Sequence, residues 1–289
     1  MAAALIAVDW GTTNRRAYLV GADGGVLHTA RDDRGLLAMT PDAFAGEVAA
    51  MRARLGDLPV LLAGMVGSAR GWVETPYLAC PAGIENLAAA LHWIEPGRTA
   101  IVPGLADPAG DVMRGEEVQL LGAGAAGLVP PDGLLCQPGT HCKWARIEAG
   151  RIVRFATTMT GELFALLKKH SLLADFLGAA VVDGPAFRAG VAEGLGGRLT
   201  TQLFRVRAAA LLGRRNVEDS ASYASGLLIG HDVAGERLEP RQPVHVLADP
   251  QLGALYAAAI TIAGGIPAMI DSQAAFVAGI TRIWKAAKP

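Results

Sequence analysis

The sequence predicts an α/β protein built as two related halves, and three observations carry that reading. Residues 4–19 read as a buried strand, a Gly/Thr turn and a return strand. The same pattern reappears at residues 134–147, just after the breaker-rich connector GLVPPDG at 127–133. Around these two blocks, short buried apolar runs alternate with stretches of helical length. The chain has 289 residues and 52% hydrophobic composition, enough for one large core or two smaller ones. The connector sets the expected boundary, with an N-terminal domain at 1–126 and a C-terminal domain at 127–289.

In the first half, residues 4–8 form a continuous apolar strand, 17–20 its return and 26–29 a third short strand after the GADGG turn. The turn between the first two has the composition of a phosphate-binding hairpin. Gly11 lets the backbone approach an anion, Thr12 and Thr13 offer hydroxyls and amides, and Asp9 can hold a hydrated Mg²⁺. A Gly/Thr-rich turn also serves an ordinary hairpin, so a second loop of the same kind is the test. Thr40 as N-cap and Pro41 at the first helical position predict a helix to about Leu55. The apolar run PVLLA at 59–63 is a buried strand that ends in GMVGSARGW. A Gly-rich loop at the carboxyl end of a parallel strand is where open α/β sheets place ligands. Ser68, Arg70, Trp72 and Glu74 are therefore candidate substrate contacts. A helix is expected near 84–91, closed by His92 and Trp93, and then a strand at 99–103. A further helix is expected from Asp111 through Gly122. Its RGEE segment carries Arg114, suited to an anionic substrate, and the acids Glu116 and Glu117. An acid in a first helical turn also serves the helix dipole alone.

The second half opens on LLCQPGTHCKWARI, again strand, Gly/Thr turn, strand. Gly139, Thr140, His141 and Lys143 make the second candidate phosphate loop, with Lys143 supplying a point charge. Residues 151–156 are the next strand. The three-strand opening of the first half is thus repeated. TMTGELF follows, with Thr160 an N-cap candidate and Glu162 in the first turn of a helix to Lys169, where it is either a site residue or a helix-start acid. Helices are expected at 185–193, 199–212 and 219–229, with a buried strand at 244–248. Asp249-Pro250 starts another helix to about Ile262. A strand at 266–270 and a helix at 273–285, capped by Asp271 and Ser272, complete the chain.

The bulk properties exclude several function classes. Formal net charge is −1 and no basic stretch is interleaved with aromatics, so nucleic acid is not an expected partner. The N-terminal apolar run is interrupted by Asp9 and has no basic leader, which reads as a strand rather than a signal peptide. The apolar run at 253–270 is Ala-rich and broken by Gly264, Gly265 and Pro267. It reads as a buried helix and strand rather than a membrane span. Cys80, Cys136 and Cys142 form no paired metal spacing and no disulfide framework, which fits a reduced cytoplasmic location. The six histidines are scattered, so no zinc site is expected. No Walker loop and no G-x-G-x-x-G follows a strand, so phosphate chemistry must come from the two hairpins.

DWGTTNRRAYL (9–19), GMVGSARGW (64–72), RGEE (114–117), PGTHCKW (138–144) and TMTGELF (158–164) resemble the 2-dehydro-3-deoxygalactonokinase family. The resemblance runs in order over nearly the whole chain. It implies two ribonuclease H-like domains of the actin, hexokinase and Hsp70 kind, with ATP in an interdomain cleft. The implied reaction is phosphorylation of the 6-hydroxyl of 2-dehydro-3-deoxy-D-galactonate, with ATP and Mg²⁺, in bacterial galactonate breakdown. On the matched positions, Asp9 is the Mg²⁺ acid, and Gly11, Thr12 and Thr13 hold the transferring phosphate. Gly139, Thr140 and His141, with Lys143 after them, form the second phosphate loop. Glu116 is expected to be the base that takes the sugar hydroxyl proton, with Glu117 second. Arg15, Arg70 and Arg114 are candidates for the substrate carboxylate, because Arg binds it in bidentate fashion. Kinases of this fold place a Gly-containing turn after the late buried strand, where adenosine packs. Here that turn is Ala248-Asp249-Pro250, so either Asp249 reaches the ribose or the nucleotide pocket is altered. Cys142 stands where Ser is expected.

Two other readings compete. One is an exopolyphosphatase-like phosphohydrolase of the same fold, which calls for a basic groove that this near-neutral chain does not suggest. The other is a non-catalytic sensor of sugar acid or nucleotide, against which stands the presence of Asp9, Lys143 and the acidic pair. The expected partners are a small-molecule sugar acid and ATP, with a homodimer left open and neither membrane nor nucleic acid.

Overall fold

The computed structural model describes residues 2–287. Its first half runs β1 (Ala3–Trp10), β2 (Arg15–Gly21), β3 (Val26–Asp32), α1 (Ala43–Leu55), β4 (Val60–Gly64), β5 (Tyr77–Ala79) and α2 (Ile84–Ala89). It continues with β6 (His92–Glu95), β7 (Thr99–Ile101), β8 (Gly104–Asp107), β9 (Asp111–Met113) and α3 (Glu116–Ala125). The second half runs β10 (Gly133–Gln137), β11 (Cys142–Glu148), β12 (Arg151–Thr158), α4 (Thr160–His170), α5 (Pro185–Leu195), α6 (Leu199–Leu211) and α7 (Val217–Gly235). It ends with β13 (Pro243–Leu247), α8 (Pro250–Ile262), β14 (Ile266–Ile270) and α9 (Ser272–Ala287).

The repeat read from the sequence is present in the sheets. One has the order β3-β2-β1-β4-β7-β6 and the other β12-β11-β10-β13-β14. In both, three consecutive strands are followed by a strand that joins the far side of the first. β1 pairs antiparallel with β2 and parallel with β4, and β10 pairs parallel with β13. Central strands covered on both faces need continuous apolar runs, and every residue of β4 is buried. β3, at the sheet edge, is mostly exposed and carries His28, Arg31 and Asp32, the polar dressing that blunts an edge.

Contacts divide the chain into two units. The first comprises residues 1–132, 145–156 and 271–289, and the second 133–144 and 157–270. The first has a core around Ile6, Val8, Trp10, Phe44, Leu62 and Ile101. The second has a core around Leu134, Trp144, Phe187, Val246, Tyr256 and Ile260. Each also contains a helix pair seamed by glycine. A Cβ on Gly122 of α3 would sit 2.0 Å from the Ala275 carbonyl oxygen, and one on Gly279 of α9 would sit 2.1 Å from that of Val118. On α5 and α7 the glycines are Gly190, Gly194, Gly226 and Gly230, with corresponding distances of 2.1–2.4 Å. Only glycine lets these helix backbones approach so closely.

Several local expectations are corrected. Thr40 does not cap α1. Its carbonyl closes a turn with the Ala43 amide, and Asp42 occupies the N-cap position. His92 and Trp93 do not close a helix; they begin β6, which pairs antiparallel with β7 across a turn in which Gly97 takes φ +71°. Asp111 opens β9 rather than a helix, because Gly115 at φ +107° breaks the chain direction and α3 starts only at Glu116. Thr160 is the first residue of α4 rather than its cap. Helix α7 continues past Gly230 to Gly235, since Gly230 packs against Val191 on α5. The small sheet β5-β8-β9 has three- and four-residue strands that leave no periodic signal.

Candidate active site

In the first unit the candidate residues gather at the carboxyl ends of β1 and β4. These strands are parallel, with Asp9 opposite Ala63 and Trp10 opposite Gly64, so their ends open on one edge of the sheet. The hairpin beyond β1 is held from behind. The carbonyls of Gly11, Thr12 and Thr13 accept hydrogen bonds from the amides of Leu36, Leu37 and Gly35 at 3.0–3.2 Å. Thr12 and Thr13 are themselves exposed, and the Thr13 hydroxyl accepts a hydrogen bond from the Asn14 side-chain amide at 3.0 Å.

Asp9 is half-buried, and burial lifts its pKa from 3.8 to about 6; Arg16 opposes the shift and Glu116 adds to it. Arg16 lies directly across the antiparallel ladder from Asp9, on the same face. Sequence reading passed over Arg16; the signal was its place seven residues after Asp9, across a short hairpin. Glu116 comes near through backbone packing. Gly64 has φ +96°, and its Cβ would stand 2.7 Å from the Trp10 carbonyl oxygen; a Cβ on Gly115 would stand 2.9 Å from the Gly64 Cα. The β1 end, the β4 end and the α3 start are thus in backbone contact.

The acidic pair at the α3 start divides its roles. Glu116 is half-buried and accepts the Arg114 amide at 3.0 Å. Glu117 is wholly buried, with its carboxyl oxygens 2.9 and 2.7 Å from the Gly115 amide nitrogen. Burial, and next the Glu116 charge, push its pKa up to about 8.

The three candidate arginines are placed differently. Arg15 is buried, paired with Asp32 at 2.7 Å and Glu47 at 2.8 Å, with its guanidinium over the Trp10 ring. Arg114 is buried over the Tyr77 ring and donates to the Thr75 hydroxyl and, at 2.8 Å, to the Thr75 carbonyl. Since Thr75 bonds in turn to Gly67, Arg114 braces the loop after β4 against the start of α3. Arg70 is exposed and, among the described residues, makes no ion pair. Nearby, Ser68 donates to the Met65 carbonyl at 2.7 Å, and Trp72 stacks on Phe44 at 6.3 Å.

In the second unit the loop between β10 and β11 leans on the start of α4. Glu162 donates its amide to the Thr140 carbonyl at 2.9 Å, and its side chain meets His141 Nε2 at 2.6 Å. A Cβ on Gly161 would lie 2.4 Å from the Gly139 carbonyl oxygen. Lys143 is buried, with its ammonium 2.7 Å from the Thr157 hydroxyl. Asp249 caps α8, accepting the amides of Gln251 at 3.2 Å and Leu252 at 3.1 Å. A cavity of about 70 Å³ lies against Gly139, Thr160, Gly161, Leu252 and Tyr256.

Among the described residues no cluster of three or more His, Cys, Asp or Glu side chains could hold a metal ion. Asp9 nonetheless suits one hard cation, with Glu116 close enough to add to the negative potential there. Burial holds the Asp9 carboxyl above its ordinary pKa, and a divalent cation there would offset the cost of its charge. Magnesium keeps most of its waters and asks for one or two carboxylates.

The repeated strand order belongs to an α/β protein of the actin-like ATPase fold. The same fold, at only 11% identity, is found in component A of the (R)-2-hydroxyglutaryl-CoA dehydratase of Acidaminococcus fermentans, with a TM-score of 0.54 over 99% of this chain and 100% of that one. Within that class, the chain belongs to the 2-keto-3-deoxy-galactonokinase family, whose profile matches residues 9–283. It is 38% identical to the 2-dehydro-3-deoxygalactonokinase of Escherichia coli (strain K12), over 98% of both chains. It is 35% identical to a probable 2-dehydro-3-deoxygalactonokinase of Rhizobium meliloti (strain 1021), over 98% of this chain and 97% of the relative. A crystal structure of a candidate 2-dehydro-3-deoxygalactonokinase from Sinorhizobium meliloti matches with a TM-score of 0.89 at 34% identity, over 99% of both chains.

Proposed function

We propose that the protein is an ATP-dependent kinase that phosphorylates the 6-hydroxyl of 2-dehydro-3-deoxy-D-galactonate in galactonate catabolism. Family membership over nearly the whole chain supports the activity. The observation that carries the chemistry is the backbone packing of Trp10, Gly64 and Gly115, which brings the β1 end bearing Asp9 up to the α3 start bearing Glu116 in one unit.

Phosphoryl transfer needs alignment and charge neutralisation more than covalent help. Bound at Asp9 through water, Mg²⁺ would supply charge neutralisation on the nucleotide phosphates. Gly11, Thr12 and Thr13 offer amides and hydroxyls to the transferring phosphoryl group, and Arg16 stands beside them with a positive charge. Glu116 is the base, since it is half-exposed and its carboxylate is not sealed in protein. Glu117 is buried at the helix start and anchors it. Gly139, Thr140, His141 and Lys143 serve the remaining phosphates, and Asp249 shapes the nucleotide side through α8.

Of the three arginines, Arg70 alone is exposed and makes no ion pair among the described residues, so we assign it the sugar-acid carboxylate. Arg15 then stiffens the first hairpin, and Arg114 holds the loop that carries Arg70, Ser68 and Trp72. Glu162 orients His141. Each half is read as a ribonuclease H-like domain on the shared strand order. Three free, buried cysteines fit a cytoplasmic location. Among the described residues no helix is long and apolar enough to cross a membrane. No observation favours the phosphohydrolase or sensor readings.

The test is a coupled ATP-consumption assay with a panel of 2-keto-3-deoxy sugar acids. Turnover with the galactonate-derived acid is expected. Stimulation by none of the panel would overturn the assignment. Arg70→Ala is expected to raise KM for the sugar acid about tenfold or more while leaving KM for ATP near wild type.

A further inference from the structure

Asp232 lies on α7, outside every motif that suggested function, and is only 6% exposed. Its carboxylate accepts three hydrogen bonds. Trp144 Nε1 donates at 2.8 Å, the Thr160 hydroxyl at 2.7 Å and the Tyr256 hydroxyl at 2.6 Å. The Cys142 thiol also lies against it. The donors come from three different elements: Trp144 from β11, Thr160 from the first residue of α4 and Tyr256 from α8.

A buried carboxylate is costly to desolvate, and an apolar side chain of similar size would usually stabilise a core as well. The value of such a group is therefore geometric, because it holds its donors in one arrangement. Here the donors flank the second hairpin. Trp144 is on the return strand just beyond Cys142. Thr160 precedes Gly161 and Glu162, which touch Gly139 and Thr140 through backbone. Thr160 and Tyr256 also line the small cavity against Gly139.

We propose that Asp232 is a positioning residue for nucleotide binding, clamping the hairpin strand β11, the start of α4 and helix α8 so that the Gly139–Thr140 segment is preformed for phosphate. This rests on the kinase reading only in naming the ligand as ATP. Preformed amides bind an anion without the cost of ordering them on binding.

The test is the Asp232→Asn variant in the full chain, read by steady-state kinetics and by direct titration with MgATP and with MgADP. The amide carries no charge, and it forces the Thr160 and Tyr256 hydroxyls to turn from donors into acceptors. A rise of about tenfold in KM and Kd for the nucleotide is expected, with KM for the sugar acid within about twofold of wild type. Thr160→Val and Tyr256→Phe each remove one bond from the donor side and are expected to shift nucleotide affinity the same way, by a smaller factor. Thr160→Ser keeps the hydroxyl and is expected to keep the affinity. If Asp232→Asn does not fold, these three variants decide the matter. A lowered Tm with unchanged nucleotide affinity, or equal losses for both substrates, would overturn the proposal. If the wild type phosphorylates no sugar acid yet its MgATP affinity falls in these variants, the kinase assignment fails and the role of Asp232 stands.

Discussion

Glu116 and Glu117 are adjacent in sequence and opposite in circumstance. One is half-exposed beside Asp9; the other is sealed at the start of α3. Glu116→Gln is expected to lower kcat ~10²-fold or more, and Asp9→Asn to remove most of kcat, whereas Glu117→Gln should change kcat less than about threefold. A larger loss in Glu117→Gln than in Glu116→Gln would reverse the assignment. Glu117 has a second signature in stability. Its pKa is raised from 4.5 to about 8 in the fold, so between these values the folded protein holds a proton that the unfolded chain has lost. The folded state then binds more protons, and stability falls as pH rises through this window. Asp9 declines in the same direction, but only between 3.8 and about 6. Urea denaturation of Glu117→Gln between pH 6 and 8 should therefore show a shallower decline than wild type. These differences could not be read from the letters EE, because burial is set by what packs on the helix. The same holds for Arg15 and Arg114, whose partners are 17, 32 and 39 residues away in the chain.

At the scale of elements, strands with continuous apolar runs were legible, as were hairpins punctuated by Gly and Thr. The elements missed were those whose existence depends on a partner. β6 and β9 are short and pair only because β7 and β8 are there. Glycine misled in both directions. Gly115 stops a helix that the pattern carries back to Asp111, while Gly230 leaves α7 unbroken. The glycine seam between α5 and α7 gives a direct check. Gly226→Ala would put a Cβ 2.1 Å from the Phe187 carbonyl oxygen and force the helices apart, at a cost of about 1–3 kcal/mol or more. Gly46 in α1 has nothing within 4 Å of the corresponding position, so Gly46→Ala is expected to stabilise by about 0.5–1 kcal/mol. Thermal melts of the two variants should move in opposite directions.

For the whole molecule, the C-terminal helix belongs to the unit that begins at the N-terminus. α9 packs on α3 through Gly279 and Gly122, so the first unit is incomplete without the last stretch of chain. A chain ending at Ile270 is expected to lose cooperative folding of the first unit, seen as a lost or strongly lowered melting transition by circular dichroism. An unchanged Tm would contradict this. By itself the sequence determined the α/β class, the duplicated three-strand opening, the two Gly/Thr hairpins and the motif order that marks the family. All of these are encoded locally, in periodicity and turn chemistry over spans of a few to twenty residues. The tertiary structure alone decided which acid is sealed and which stays open, which of the three candidate arginines is exposed without an ion pair among the described residues, and that Asp232 stands behind the second hairpin. Those outcomes depend on desolvation and hydrogen bonding between residues far apart in the chain, here 24, 72 and 88 positions for Asp232, and no local pattern records them.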